Sequence, residues 1–334
     1  MRKLDNILGT LYGQAIGDAM GMPTELWSQE QIAQAFPQGI TNFVAGPATN
    51  DIARYFDRGE YTDDTNQALV ILDSLIQTEW QPQTTNLVQH LLQWAQQVNA
   101  WDNNVLGPSS KAALTLAKAG KKTAAVTAQA VTNGAAMRIA PIGALFEPAE
   151  LDQLVDLVVA VTQVTHSSDV AYSGACLIAG AVTAAQAGYA WDELVKYALK
   201  ASDLGFLQGC PTWAAKIHNR VDMAIALARQ YSGQPQDFRR AIYDTIGTGT
   251  MLSESVPAAL AIAYYFRDVE QCALFCANLG GDTDTIGAMA TAICGAAQGA
   301  KRIKPAWRQL INQQNPQHDL SYLAQQMMQY TSYR

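Results

Sequence analysis

Gly9, Gly13, Gly17 and Gly21 recur every four residues through the stretch "NILGTLYGQAIGDAMGMPTE". Residues four apart share one face of a helix, so these glycines form a ridge without side chains. An interior helical glycine costs about 1 kcal/mol against alanine, and a ridge of them needs a physical reason. Either another helix packs closely on it, or a ligand approaches the backbone near its Gly17–Gly21 end. Ile7, Leu8, Leu11, Tyr12, Ala15, Ile16, Ala19 and Met20 supply a wide apolar stripe on the same helix.

The helical period persists along the chain. It predicts helices at 64–78, 84–98, 110–118, 135–146, 151–164, 169–187, 191–201, 213–230, 237–247, 255–266, 268–277, 285–300 and 319–331. Turn-forming stretches such as "GPSS", "EPAE", "SGQPQD" and "NQQNPQ" separate them. The β-like run "LVDLVVAVTQV" fits a buried helix as well, and strands never alternate with helices, which excludes a doubly wound fold. The best linker candidate, "ARQYSGQPQDFRR", is short. The expectation is one all-α domain spanning residues 1–334.

With 49% hydrophobic and 15% charged residues, the chain can bury a large core. Its formal charge is -7 and its basic residues are scattered, so no nucleic-acid footprint is present. Partners are expected among small molecules, cations or proteins. No run is long and apolar enough for a membrane span. The basic start "MRKLDNILG" leads into a segment holding Asp5, Gln14 and Asp18, which a signal-peptide core would not carry. A cytoplasmic protein is expected. Cys176, Cys210, Cys272, Cys276 and Cys294 read as reduced core residues, and no second Cys/His pair gives zinc spacing.

Two acidic clusters carry the chemistry. In "EYTDDTNQALVILDSLI", Thr62 or Asp63 can cap the following helix. Capping does not explain Thr62-Asp63-Asp64-Thr65 in a row, because adjacent carboxylates repel unless a cation or a helix N-terminus holds them. In "NLGGDTDTIGAMATAICGA", Gly280-Gly281 makes a tight turn before Asp282, Thr283, Asp284 and Thr285. Alternate side chains there can converge on one point. Carboxylates with threonine hydroxyls are hard oxygen ligands suited to Mg²⁺ or Mn²⁺. Together the two helix mouths could hold two cations, with one carboxylate bridging. "DTDTI" also fits a phosphatase-type Asp-x-Asp-x-Thr signature, but "GG" stands where that signature needs an apolar strand. An EF-hand loop fails for want of its glycine and its last acid.

"NGAAMRIAPIG" reads as a turn and helix start whose backbone N–H groups suit a phosphate or ribose oxygen, pointing to Asn133, Gly134, Ala135 and Met137. "DNNVLGPSSKAAL" is another helix mouth, with Gly107, Ser109 and Ser110 small and polar. Glu25 follows Pro23 just past the glycine ridge; it is either a solvated loop acid or a base toward a water at the centre. His166 either lines the pocket or packs and caps a helix. Trp27, Trp101 and Trp213 sit in loop-like contexts where a ring could stack on a base or pack in the core.

Taken in order, "GQAIGDAMGMPTE", "YTDDT", "NGAAMR" and "GGDTDTIGAMATAICGA" make the chain resemble the ADP-ribosylglycohydrolase family from residue 5 to residue 300. The resemblance implies an all-helical fold with two divalent cations, Mg²⁺ or Mn²⁺. By motif, Thr62, Asp63 and Asp64 would serve one metal, Asp282 and Thr285 the other, and Asp284 would bridge. Glu25, Asp63 and Asp284 would be catalytic. Gly107, Ser109, Ser110, Asn133, Gly134, Ala135, Met137 and His166 would contact substrate, with Ser109-Ser110-Lys111 departing from the commoner Thr-Thr-Arg pattern. Asp18 would orient the loop and not bind metal. The implied reaction is hydrolysis at the anomeric carbon of an ADP-ribosyl compound, through an oxocarbenium-like state. Hydrolysis of a free nucleoside or small ribosyl metabolite is one alternative, and non-catalytic ADP-ribose binding is another.

Overall fold

The glycine ridge packs on a second helix, backbone against backbone. In the computed structural model, which describes residues 4–103 and 105–333, the helix Leu4–Gly21 runs antiparallel to Thr283–Gln298. The basic start at residues 1–3, Asn104 in the 102–114 loop, and residue 334 at the end of the expected domain lie outside the described residues. A Cβ added at Gly9 would stand 2.1 Å from the Gly295 carbonyl oxygen, and one at Gly13 would stand 2.3 Å from that of Thr291. At Gly17 and Gly21 it would meet the carbonyl oxygens of Gly287 at 2.2 Å and Thr283 at 2.3 Å. The partner positions are also four apart, so both helices repeat the contact once per turn. Thr291 Oγ1 donates to the carbonyls of Gly13 at 2.6 Å and Gly287 at 2.7 Å. Of the two explanations for the ridge, helix packing accounts for all four glycines.

Asp169–Gln186 is buried at every position through Ala185 and packs on both Trp191–Phe206 and Thr283–Gln298. Leu252–Phe266 covers the other side of that centre. Asp63–Gln77 buries Leu69, Ile71, Leu72 and Leu75 against the rest of one continuous core. Each such side chain contributes roughly 1.5–3 kcal/mol on burial. Among the described residues no strand forms, and three isolated bridges tie loops together: Trp27–Gly281, Thr132–Met251 and Ser168–Cys210. No helix of the described residues is long and apolar enough to cross a membrane.

Most predicted helices form within a few residues of their expected bounds. The segment 135–146 does not. It is a 3₁₀ turn at Asn133–Ala135 and a single α turn at Ala140–Gly143, because Pro141 has no N–H to continue a helix. The segment 237–247 splits into Pro235–Ala241 and a π-helical turn, Ile242–Ile246, which ends at Gly247 with φ +86°. The helix expected from 213 starts at Ile217. Gln29–Ala35, Ala124–Thr127 and Pro305–Gln314 are helical without having been expected. Four cysteines are buried and unpaired as expected, but Cys210 is exposed.

Candidate active site

The glycine seam delivers two helix ends to one place. Thr283 Oγ1 donates to the Gly21 carbonyl at 2.8 Å, and Thr24 Oγ1 donates to the Ala277 carbonyl at 2.9 Å. Asp18, fully buried near the same end, accepts from the backbone N–H of Thr62 at 2.8 Å and of Thr65 at 3.0 Å, and from Thr65 Oγ1 at 2.6 Å. It therefore fixes the start of Asp63–Gln77, as its expected loop-orienting role requires. Thr62 is that helix's N-cap, accepting from the Asp64 N–H.

The second acidic segment is set by its glycines. Gly280 and Gly281 both adopt φ +85°, where a side chain is strained. A Cβ at Gly281 would also stand 2.2 Å from the Thr248 carbonyl oxygen. That carbonyl accepts the Asp282 N–H at 2.6 Å. Gly281 and Trp27 pair through the backbone, and the Leu26 N–H reaches the Gly281 carbonyl at 2.8 Å, with Leu26 held at φ +57°. A non-glycine residue in this region costs about 1–3 kcal/mol. The strain sits next to Glu25, whose carbonyl is also bound by Asn50 Nδ2 at 3.0 Å.

Glu25, Asp282 and Asp284 each place a carboxylate oxygen within 4.8 Å of the others. Asp64 and Asp282 face the Thr285 hydroxyl, and Thr62 Oγ1 lies 3.5 Å from Asp284 Oδ2. Asn133 Nδ2 donates to Asp282, and also reaches Ser255 Oγ at 3.1 Å. Asp63 sits beside this group with one oxygen accepting from Gln67 Nε2 at 2.8 Å. Gln67 in turn accepts from Arg138, a guanidinium buried to 1% exposure that also donates to Thr165 Oγ1. Burial lowers the Arg138 pKa to about 10, with Asp63 opposing the shift.

Burial first, and neighbouring carboxylates second, push these acids up. Asp284 is raised well above the carboxylate range by burial and then by Glu25, Asp282 and Asp64. Glu25 and Asp64 are raised for the same reasons. Asp63 is raised to about 8 by burial and then by Asp18 and Asp282. Asp18 is raised to about 6 by burial, which its hydrogen bonds partly offset. Asp64 Oδ2 and Asp284 Oδ1 are buried without any partner. Converging oxygens, mutual repulsion and orphaned acceptors together fit a hard divalent cation. This acidic group can hold a metal.

The cavity over the acids has a volume of about 190 Å³. Glu25, Asp63, Asp64, Gly107, Ser110, Asn133, Gly134, Met137, Asp282, Asp284 and Thr285 all line it, as do Leu26, Ile52, Leu106, Thr132 and Thr250, which carried no sequence signal. Thr250 is there because its carbonyl accepts the Asn133 N–H at 2.9 Å. Four expected residues do not line it. Thr62 faces a neighbouring cavity. Ser109 accepts from Thr132 Oγ1 at 2.8 Å, and Ala135 is fully buried. His166 is fully buried behind Gly134, with Nδ1 2.8 Å from Thr165 Oγ1. Burial holds its pKa down at about 3, so the ring is neutral near pH 7. Trp27 packs at the rim of the Gly281 turn, Trp101 donates to Thr115 Oγ1 at 3.1 Å, and Trp213 is 81% exposed. None of the three lines the acidic cavity.

Fold and site together define an all-helical protein with an oxygen-lined, cation-competent acidic cleft. The chain belongs to the ADP-ribosylglycohydrolase family, whose profile matches residues 1–333. It is 40% identical over 333 residues to an uncharacterised Escherichia coli protein, YegU, covering 99% of each chain. It is 26% identical to the mouse ADP-ribosylhydrolase ARH3, over 92% of this chain and 88% of that one. It is also 26% identical to the ADP-ribosyl-[dinitrogen reductase] glycohydrolase of Rhodospirillum rubrum, over 91% and 89% of the two chains. A solved structure titled an ADP-ribosylglycohydrolase-related protein complex superposes with a TM-score of 0.68 at 22% identity, over 98% of each chain, and this shows the fold. The chain is thus a member of a family of enzymes that hydrolyse glycosyl bonds.

Proposed function

We propose that this protein hydrolyses the anomeric ribosyl bond of an ADP-ribosylated substrate, using two divalent cations, Mg²⁺ or Mn²⁺. The observation that carries the reading is the pair of orphaned buried oxygens, Asp64 Oδ2 and Asp284 Oδ1, inside a group of carboxylates from two helix ends. Asp63, Asp64 and Thr62 would hold one cation, Asp282 and Thr285 the other, and Asp284 both. When bound, the cations would offset the carboxylate repulsion and stabilise charge on oxygen.

The chain's own groups do the rest. The carboxylates surround the anomeric carbon with negative potential, which favours the oxocarbenium-like state. Asn133 holds Asp282, and Asp18 holds the Thr62–Thr65 backbone that carries Asp63 and Asp64. Glu25 takes a proton from water as the water oxygen joins the anomeric carbon. The glycosidic bond breaks, and the leaving group departs with the proton that Glu25 took, which restores the Glu25 carboxylate. Gly107, Ser110 and Gly134 offer small surfaces to the ribose and phosphates, Asn133 holds Asp282 beside them, and Ser109, Ala135 and His166 support them from behind.

No lysine or arginine lines the acidic cavity among the described residues. Lys111 Nζ is committed to the Trp101 carbonyl at 2.8 Å. This favours, as a second reading, a free nucleoside or small ribosyl metabolite that carries no diphosphate. The test is a hydrolysis screen with added Mg²⁺ or Mn²⁺, setting ADP-ribosyl-arginine, ADP-ribosyl-serine and free nucleosides side by side. Turnover of an ADP-ribosyl conjugate supports the first reading. Turnover of nucleosides alone supports the second, and no turnover of any of them leaves only a binding role.

A further inference from the structure

The Arg138 guanidinium is 1% exposed and takes no part in the proposed reaction. A buried charge is costly unless its surroundings use it. Its hydrogen bonds go to two neutral groups, Gln67 Oε1 and Thr165 Oγ1. A guanidinium carries donors and no acceptor, so it sets the direction of the hydrogen bonds that lead away from it.

On one side, the Gln67 atom that faces Arg138 must be the amide oxygen. The amide nitrogen then faces the other way and donates to Asp63 Oδ2 at 2.8 Å. Gln67 is fully buried and stands four residues after Asp63 on the same helix, so the two side chains share one face. With the amide reversed, its oxygen would meet the Asp63 carboxylate and its NH₂ would meet the guanidinium, and both contacts would repel. Asp63 lines the acidic cleft, and with Oδ2 engaged it turns Oδ1 to serve a cation.

On the other side, Thr165 Oγ1 accepts from Arg138, so its own hydrogen points at His166 Nδ1, 2.8 Å away. Nδ1 is then the acceptor, and the neutral ring carries its proton on Nε2. Nε2 lies 3.4 Å from Thr132 Oγ1, which donates its hydrogen to Ser109 Oγ at 2.8 Å and can therefore accept from the ring. The direction that starts at Arg138 agrees with the one at Thr132.

We propose that Arg138 is a positioning residue for two parts of the cleft: through Gln67 it orients Asp63 for a cation, and through Thr165 it sets the Nε2–H tautomer of His166 behind Gly134. The Asp63 half rests on the two-cation reading above; the His166 half does not.

The test is calorimetric titration of Mg²⁺ into the chelator-treated full chain, for the parent, Gln67→Met, Arg138→Lys and the double variant. Neither substitution changes the net charge, so a change in affinity reports positioning. Partners that orient a metal ligand are typically worth about 10–100-fold in affinity. Gln67→Met should weaken Mg²⁺ binding at least about tenfold. Arg138→Lys should do the same, since an ammonium lacks the planar fork that reaches both partners. The double variant should bind no more weakly than the weaker single one, because both cut one path. A residue that only holds the fold would lower Tm and leave the affinity of the folded protein unchanged, and that result for Gln67→Met would overturn the Asp63 half even if Arg138→Lys failed to fold. Nitrogen NMR shifts of the parent's His166 ring near pH 7 should show Nε2 protonated and Nδ1 bare; an Nδ1–H ring would overturn the His166 half. Absence of Mg²⁺ binding by the parent would sink the two-cation reading and the Asp63 half with it, while the tautomer still decides the His166 half. Tight binding by the parent that Gln67→Met leaves unchanged would sink the Asp63 half and spare the two-cation reading.

Discussion

Along the glycine contacts between Leu4–Gly21 and Thr283–Gln298, Thr291 spends its hydroxyl on two carbonyls, and the unpartnered Oε1 of Gln14 lies off the glycine ridge, its Nε2 donating to the Asp64 and Met137 carbonyls. At the mouth of the second helix, Asp284 keeps an oxygen buried with no partner, beside other carboxylates. The same helix builds both regions. The glycine contacts are satisfied by the chain alone, whereas the mouth leaves buried carboxylate oxygens without a partner from the chain. The close backbone contact of the seam holds the unfavourable charge arrangement of the mouth in place.

The largest effect is expected from breaking the seam. Gly295→Ala places a Cβ 1.9 Å from the Gly9 carbonyl oxygen, where only backbone can move. Urea unfolding should show a loss of about 3 kcal/mol or more; a loss below about 1 kcal/mol would mean that the two backbones can part freely. At the mouth, Glu25→Gln should lower kcat by about 10²-fold while the fold stands, the low end of what a positioned acid or base supplies.

Asp284→Asn sharpens the contrast from the other side. Without cations it removes a buried carboxyl that must either stay charged among its neighbours or take up a proton, so the variant should be more stable than the parent by about 1–3 kcal/mol near pH 7. A less stable variant would show that the mouth is not under electrostatic strain.

His166 gives a smaller, pH-dependent effect. Its folded pKa of about 3 lies below the unfolded value, so the unfolded chain takes the proton first as pH falls. Its contribution is complete above about pH 6.5 and declines by about 1.4 kcal/mol per pH unit from there toward pH 3. His166→Asn should flatten that part of a denaturation profile taken between pH 7 and pH 5. Least of all should change with Trp213→Ser, since that ring is 81% exposed and does not line the acidic cavity: a stability shift within about 0.5 kcal/mol and unaltered turnover.

The seam was legible in the sequence because a four-residue glycine period has few structural uses. The mouth was legible because threonine-aspartate runs at helix starts exceed what capping requires. That two acidic helix starts would come together was also expected, but the contacts that set them, Asp18 to Thr62 and Thr65 and Asn133 to Asp282, were not legible, being far apart in the chain. The segment 135–146 misled for a different reason. Its composition is that of a buried helix, but Pro141 and full burial leave it as short turns. Thr62 caps its helix as expected, with its hydroxyl 3.5 Å from Asp284 Oδ2, and also lines the larger neighbouring cavity. That cavity was invisible because residues 314–318 bring amides and His318 to it from the far end of the chain without any motif.

The central claim is that the mouth is built for cations. Isothermal titration of Mg²⁺ and Mn²⁺ into chelator-treated protein tests it most directly. The expected result is saturable binding by the parent that is lost or greatly weakened in Asp284→Asn. No binding by the parent, or binding that Asp284→Asn leaves unchanged, would contradict it.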